Sequence, residues 1–180
     1  MSPIYVPGKV TLKKESVAAD PYYNNVSLLL HGDGANGSTT IVDSSPTPKT
    51  VTAFGDAQIS TAQSKFGGSS LAFDGSGDYV GIADSADFTF GSGNFTIEFW
   101  VYPSDNTQRI IASHGNAALP GTAWDFTRSS TGTILVNCYD TVGNIIINSL
   151  QSPSITTNAW THVALARNGC LLYTSDAADD

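Results

Sequence analysis

Charged side chains are scarce in this 180-residue chain, at 13% of the sequence, and the scarcity is uneven: eight residues are Lys or Arg against sixteen Asp or Glu. Only two of the acids, Glu15 and Glu98, are glutamates. A formal charge of −8 with scattered basic residues argues against a nucleic-acid partner, because a duplex binder clusters Lys and Arg to displace counterions. Long apolar runs are also missing. None approaches the roughly 18 residues that span a bilayer, and Met1–Asp20 has no apolar centre of the kind a signal peptide carries, so neither membrane insertion nor a secretory leader is expected. Two cysteines, Cys138 and Cys170, are too few for a disulfide framework, and no bridge is expected between them. His31, His114 and His162 lack metal-ligand spacing, and no G-x-S-x-G elbow presents a serine for attack. Finally, no ten-residue stretch carries a helical apolar stripe.

What remains is a chain rich in Gly, Ser, Thr and Asn, punctuated for short strands and tight turns. Its length suits one domain with one core. Residues 1–23 show no sustained period and contain Pro3, Pro7 and Pro21, which predicts an extended arm or linker. Val26–Leu30 is a short apolar run and predicts a first strand, followed by a brief one over Thr39–Val42 and others over Val51–Phe54 and Ala57–Ser60. Between Lys65 and Pro103 the signals are strongest. Ser70–Phe73 and Asp78–Ile82 flank Asp74-Gly75-Ser76-Gly77 and predict a hairpin with Tyr79 half-buried. After Gly91-Ser92-Gly93, the run Phe95–Tyr102 alternates, placing Phe95, Ile97, Phe99 and Val101 on one face until Pro103 ends it. Further strands are expected over Arg109–Ser113, Ala123–Ser129, Thr133–Tyr139, Asn144–Ser149 and Trp160–Arg167. Strands at this spacing predict an all-β, antiparallel β-sandwich or jelly roll.

The other face of the alternating run carries Thr96, Glu98, Trp100 and Tyr102. Aromatic faces pack on the C–H surfaces of a sugar ring while a carboxylate accepts its hydroxyls, so Glu98, Trp100 and Tyr102 are candidate ligand-binding residues. The plainer alternative is a cross-strand contact of Glu98 on a partly wet sheet face. Trp124 is a fourth candidate at a loop-rimmed site, or a core residue, as are Tyr79 and Tyr139. The turn-rich stretch Asp33-Gly34-Ala35-Asn36-Gly37-Ser38, followed by Asp43, offers oxygen donors of the kind Ca²⁺ takes, against the reading of a turn capped by Asp33 and Asn36.

Phe66-Gly67-Gly68-Ser69-Ser70-Leu71, Phe73-Asp74-Gly75, Asp78-Tyr79-Val80, Phe95–Val101 and Trp160-Thr161-His162-Val163-Ala164 together resemble the laminin G-like, concanavalin A-like lectin/glucanase domains, over roughly residues 24–169. The opening PYYNNVSLLLHGDGANGSTTIVDSS resembles versions found in bacteriophage and metagenomic virion-associated proteins. The resemblance implies a concanavalin A-like sandwich and a non-catalytic domain that recognises a glycan or other host-surface ligand. It would sit on a phage tail or fibre, or be otherwise extracellular, alongside other copies of the virion protein, with calcium at the rim held by Asp33, Asn36 and Asp43. A structural, decorating role in the virion is the alternative. A laminarinase-type hydrolase is the third reading, but the glucanase branch carries Glu-x-Asp-x-x-Glu on one strand and this chain has no such triplet, so an enzyme is not expected. In related domains several more strands follow the segment matching Trp160–Gly169. Residues 170–180, CLLYTSDAADD, resemble translated adapter sequence at the ends of metagenomic reading frames, which implies a sandwich incomplete at its C-terminus with a non-native tail.

Overall fold

The computed structural model describes residues 20–90, 93–115, 124–139, 145–168 and 171–177, and of residues 139, 145–149 and 171–177 it describes the backbone only. Most of the expected arm, together with Gly91, Ser92 and Cys170, lies outside the described residues.

Four short strands open the fold: β1 (Val51–Phe54), β2 (Gln58–Ser60), β3 (Ser70–Ala72) and β4 (Tyr79–Ile82). They do not pair as the turn residues predict. β3 pairs with β2, from Ser60↔Ser70 to Gln58↔Ala72, and β4 with β1, from Phe54↔Tyr79 to Val51↔Ile82. The four segments therefore form one long hairpin, interrupted midway on both arms. The interruption is held by Asp78, whose carboxylate accepts the backbone N–H of Asp56 at 2.6 Å and of Asp74 at 2.7 Å. Asp74 Oδ1 in turn accepts from Ser76 N at 2.7 Å. Asp-Gly-Ser-Gly is thus a bulge in one arm of a hairpin and does not reverse the chain. A turn and a bulge both need positive φ and a side-chain acceptor, so they share a sequence signature. Tyr79, expected half-buried, is 54% exposed.

The two runs before β1 are not strands. Leu30 and Asp43 form a single isolated bridge, and Val26–Leu30 and Thr39–Val42 otherwise run as irregular backbone, with Ile41 buried.

From Phe95 onward the expected strands appear. β5 (Phe95–Val101) is followed by β6 (Arg109–His114), β7 (Trp124–Arg128), β8 (Thr133–Tyr139), β9 (Ile145–Ser154), β10 (Thr161–Asn168) and β11 (Leu171–Ala177). β6-β7-β8-β9 make one antiparallel sheet and β11-β10-β5 another. β11 falls in the stretch expected to be a tail, yet it pairs along β10 from Asn168↔Leu171 to His162↔Ala177. Ladder bonds come from the backbone, so this pairing does not need the alternating side chains whose lack argues against a return strand.

The sheets face each other across Phe126, Ile134, Val136 and Ile155 on one side and Val163 and Leu165 on the other, with Phe95, Ile97, Phe99 and Val101 packed against them. Phe99 meets Phe126 edge-on at 5.4 Å. Burying each of these large side chains contributes roughly 1.5–3 kcal/mol. The architecture is an all-β, antiparallel sandwich with open sheet edges, and no α-helix occurs among the described residues.

Gly55, with φ of +65°, sits where the hairpin is clasped, and a Cβ there would lie 2.9 Å from the Gly77 carbonyl oxygen and overlap the Asp78 carboxylate. Gly55→Ala is expected to destabilise the domain by about 2 kcal/mol, from left-handed strain plus displacement of the Asp78 clasp. Chemical denaturation measures it, and an unchanged midpoint would refute the assignment of the clasp.

Candidate ligand site on the outer sheet face

Pairing of β5 with β10 sets Trp100 opposite His162, Glu98 opposite Ala164 and Thr96 opposite Ala166, all on the face turned away from the core. The Trp100 and His162 rings lie 5.1 Å apart, tilted by 35°. His162 Nε2 stands 3.4 Å from Glu98 Oε2, two residue pairs along the ladder on the same face, so the cross-strand contact expected as the plainer alternative is present. The Glu98 side chain nevertheless stays 62% exposed, against 19% for His162. Ala164 and Ala166 add only methyl groups, which leaves the sheet low beside the two rings.

The closing loop of the long hairpin covers the far side of Trp100. Lys65 Nζ lies 4.1 Å from the centre of the indole, and Phe66 meets it edge-on at 5.7 Å. An ammonium over an indole is attracted by the negative face of the ring, and the contact fixes where the loop rests. The outer face thus gathers an indole, an imidazole, a carboxylate and an ammonium within a few ångströms. It presents acceptors and donors beside flat apolar surface, the combination that polyhydroxylated ligands require. Sequence reasoning does not single out Lys65, Phe66 or His162 for this site. For His162 a signal exists, since the alternation of Trp160–Arg167 puts it on the face opposite Val163 and Leu165, but its partner emerges only from the register.

The other two aromatic candidates sit elsewhere. Tyr102 lies just beyond β5 and packs on Trp160 at 5.4 Å, at the end of the strand. Trp124 is on the other sheet and faces inward, edge-on to Phe126 at 5.9 Å and stacked between Phe90 at 6.1 Å and His114 at 6.0 Å. Of the two alternatives for Trp124, its position matches the core one: it shares parity with Phe126 along β7 and packs against the core cluster. Its neighbour His114 holds Asp84 through Nε2 at 3.0 Å, and that hydrogen bond keeps the Asp84 carboxyl below the usual range.

Two comparisons bear on this geometry. A family model described as the concanavalin A-like lectin/glucanases superfamily, of laminin G type, matches residues 74–173, more than half of the chain. The chain belongs to this superfamily. Among solved structures, an S-layer domain-containing protein from Clostridium thermocellum ATCC 27405 superposes with a TM-score of 0.53 at 22% identity, covering 85% of this chain and 71% of that one. This likeness concerns the fold alone. No curated protein matches the chain.

The calcium expectation attached to concanavalin A-like domains does not fit the residues assigned to it. Asp43 is 4% exposed and both its oxygens are taken: Oδ1 accepts from Leu29 N at 3.0 Å and Ser45 N at 2.9 Å, Oδ2 from Lys49 N at 2.7 Å and Ser45 Oγ at 2.9 Å. Four donors leave no lone pair aimed at a cation. Asn36 Oδ1 accepts from Thr61 N at 3.0 Å, which ties its loop to the hairpin, and Asp33 rests against Gly67. The three side chains thus go to three different partners. Among the described residues, no three His, Cys, Asp or Glu side chains group as a metal ion needs.

Burial alone would raise the Asp43 pKa, but the backbone donors of Leu29, Lys49 and Ser45, with the Ser45 hydroxyl, outweigh it and hold the carboxyl below its ordinary value. Its contribution to stability is therefore complete above the unfolded-state pKa of about 3.9 and is lost as pH falls through the lower folded value. Asp43→Asn is expected to lower stability at neutral pH by about 2–3 kcal/mol. Denaturant titrations of both proteins should show that gap narrowing below about pH 4; a gap independent of pH would mean that the charge of Asp43 does not matter.

Proposed function

We propose that the domain is a non-catalytic recognition module that binds a carbohydrate or other host-surface ligand on its outer sheet face, as part of an extracellular assembly such as a phage tail or fibre. The observation that carries this reading is the cluster of Glu98, His162 and Trp100. An exposed carboxylate stands 3.4 Å from an imidazole, which in turn packs on an indole. Membership of a superfamily whose description includes lectins supports a saccharide as the ligand class. The extracellular, virion-borne setting rests on the resemblance of residues 21–45 to virion-associated proteins.

A hydrolytic role is disfavoured by the count of acids. A glycosidase sets two carboxyl groups across one scissile bond, and β5 and β10 bring a single one, Glu98, to this face.

Binding to a glycan array is expected for the purified protein, with Glu98→Gln and Trp100→Ala each weakening it about tenfold, the size of one hydrogen bond to a charged group or one ring contact. Reducing-sugar assays on β-glucans are expected to show no release. Release that Glu98→Gln abolishes would replace this reading with a hydrolase, and array binding unaffected by both substitutions would move the site off this face.

A further inference from the structure

The geometry points to a second saccharide platform, on the hairpin pair β1 and β4, that accepts the apolar face of a neutral pyranose. It takes its ligand class from the recognition reading above but shares no residue with the Glu98 cluster. Phe54 and Tyr79 are cross-strand partners whose rings stack 4.4 Å apart and within 9° of parallel, while remaining 40% and 54% exposed. Two large aromatics stacked side by side stabilise the strand pair and at the same time form an exposed apolar patch. Both rings also cover the sheet at Gly81, where a Cβ would come within 3.0 Å of Phe54 and 3.8 Å of Tyr79, while their outer surfaces stay open to solvent.

The rings border an open groove of about 330 Å³, lined by Thr52, Phe54, Tyr79, Gly81, Ile82 and Ala83. That volume stands at the low end for small-ligand sites, the scale of one or two sugar rings. Because it is shallow and largely open to solvent, it suits a flat ring resting on an aromatic face better than an apolar ligand, which needs enclosure. The glycine keeps the floor low. Polar contacts are available from the Thr52 hydroxyl and the Tyr79 phenol, for which the described residues offer no hydrogen-bond partner.

Charge selects among saccharides. None of the six lining residues is ionisable at neutral pH, and the groove is flanked in sequence by Asp78 and Asp84. Asp78 is spent on the N–H groups of Asp56 and Asp74, and Asp84 on His114. Two flanking carboxylates on a chain of net charge −8 repel uronates and sialylated glycans, leaving neutral sugars as the matching class.

The test is backbone-amide chemical-shift mapping of the ¹⁵N-labelled protein during titration with neutral hexasaccharides of glucose, mannose, galactose and N-acetylglucosamine, with polygalacturonate fragments as the anionic control. At least one neutral series is expected to shift Thr52, Phe54, Gly81 and Ile82. Tyr79→Ala should weaken that response about tenfold while Glu98→Gln leaves it unchanged. Tyr79→Phe, which keeps the ring, should retain most of it. The proposal is overturned if no neutral sugar moves these amides, if the anionic fragments move them equally, or if they shift with protein concentration alone, which would make the patch a contact between copies. Loss of the hairpin response with retention of the Glu98-dependent one overturns the second platform and spares the first site; the reverse result overturns the outer-face reading and spares this one.

Discussion

The register between β5 and β10 is the constraint on which the rest of the structure depends. Seven consecutive pairs, from Phe95↔Arg167 to Val101↔Thr161, fix the parity of both strands at once. With that parity, Phe95, Ile97, Phe99 and Val101 join Val163 and Leu165 against Phe126, Ile134 and Val136, while Glu98, Trp100 and His162 emerge together on the outside. A one-residue slip of β5 against β10 would put Glu98 and Trp100 into the core and Phe99 into water. The cost of burying a carboxylate and exposing four apolar side chains far exceeds the few kcal/mol that separate competing registers, so core and candidate site are specified by the same alternation. The candidate site is in this sense a by-product of the core.

Polar ties organise the regions that alternation does not reach. The irregular segments before β1 lack a ladder, and Asp43 supplies one acceptor group to Leu29, Ser45 and Lys49 in its place. Lys49 extends the tie, donating to the Ser27 carbonyl at 2.6 Å and pairing with Asp87 at 2.8 Å. Asp78 does the same for the interrupted hairpin. At the far end of β7, Arg128 is 3% exposed and reaches the Asp105 carbonyl and Asn106 Oδ1, both at 2.8 Å, so a buried guanidinium pins the loop between β5 and β6. In a chain with so few charges, several of those present serve as multi-bond anchors for loops.

Strands β5 to β10 are legible in the sequence because each is an apolar-polar run bounded by turn formers, and both signals survive without knowledge of partners; β11 is not, since its residues lack the alternation. The hairpin is not, since Asp74-Gly75-Ser76-Gly77 serves a bulge as well as it serves a turn, and only the distant pairing of β1 with β4 decides between them. Asp43 is misleading for a related reason. An aspartate among Gly, Ser and Asn is what a metal loop and an N–H-collecting loop have in common, and the choice turns on whether donors or lone pairs fill the space. Trp100 and Trp124 show the same limit in a single residue type. Parity with Phe126 is enough to send Trp124 inward, whereas Trp100 on the opposite parity gains its neighbours Lys65 and Phe66 from a loop well before it in the chain, which no local pattern announces.

Those loop contacts also bear on how the outer face works. Lys65 and Phe66 belong to the loop that closes the long hairpin, and the same hairpin displays Phe54 and Tyr79 on its other strand pair, beyond the interruption. The two strand pairs are joined through the Asp78 clasp, with three short hydrogen bonds and three left-handed glycines, Gly55, Gly75 and Gly77, in place of a continuous ladder. A clasp of that kind resists bending less than unbroken pairing does, because each of its bonds contributes only about 1 kcal/mol and is open to competition from water. The loop over Trp100 is held by its ring and ammonium contacts together with the hydrogen bonds of Thr61 to Asn36, Ser69 to Gly32 and Ser70 to Gln63. A ligand on this face therefore meets an indole already engaged by the Lys65 ammonium, a contact of roughly 0.5–2 kcal/mol that fixes which part of the ring surface is left to it.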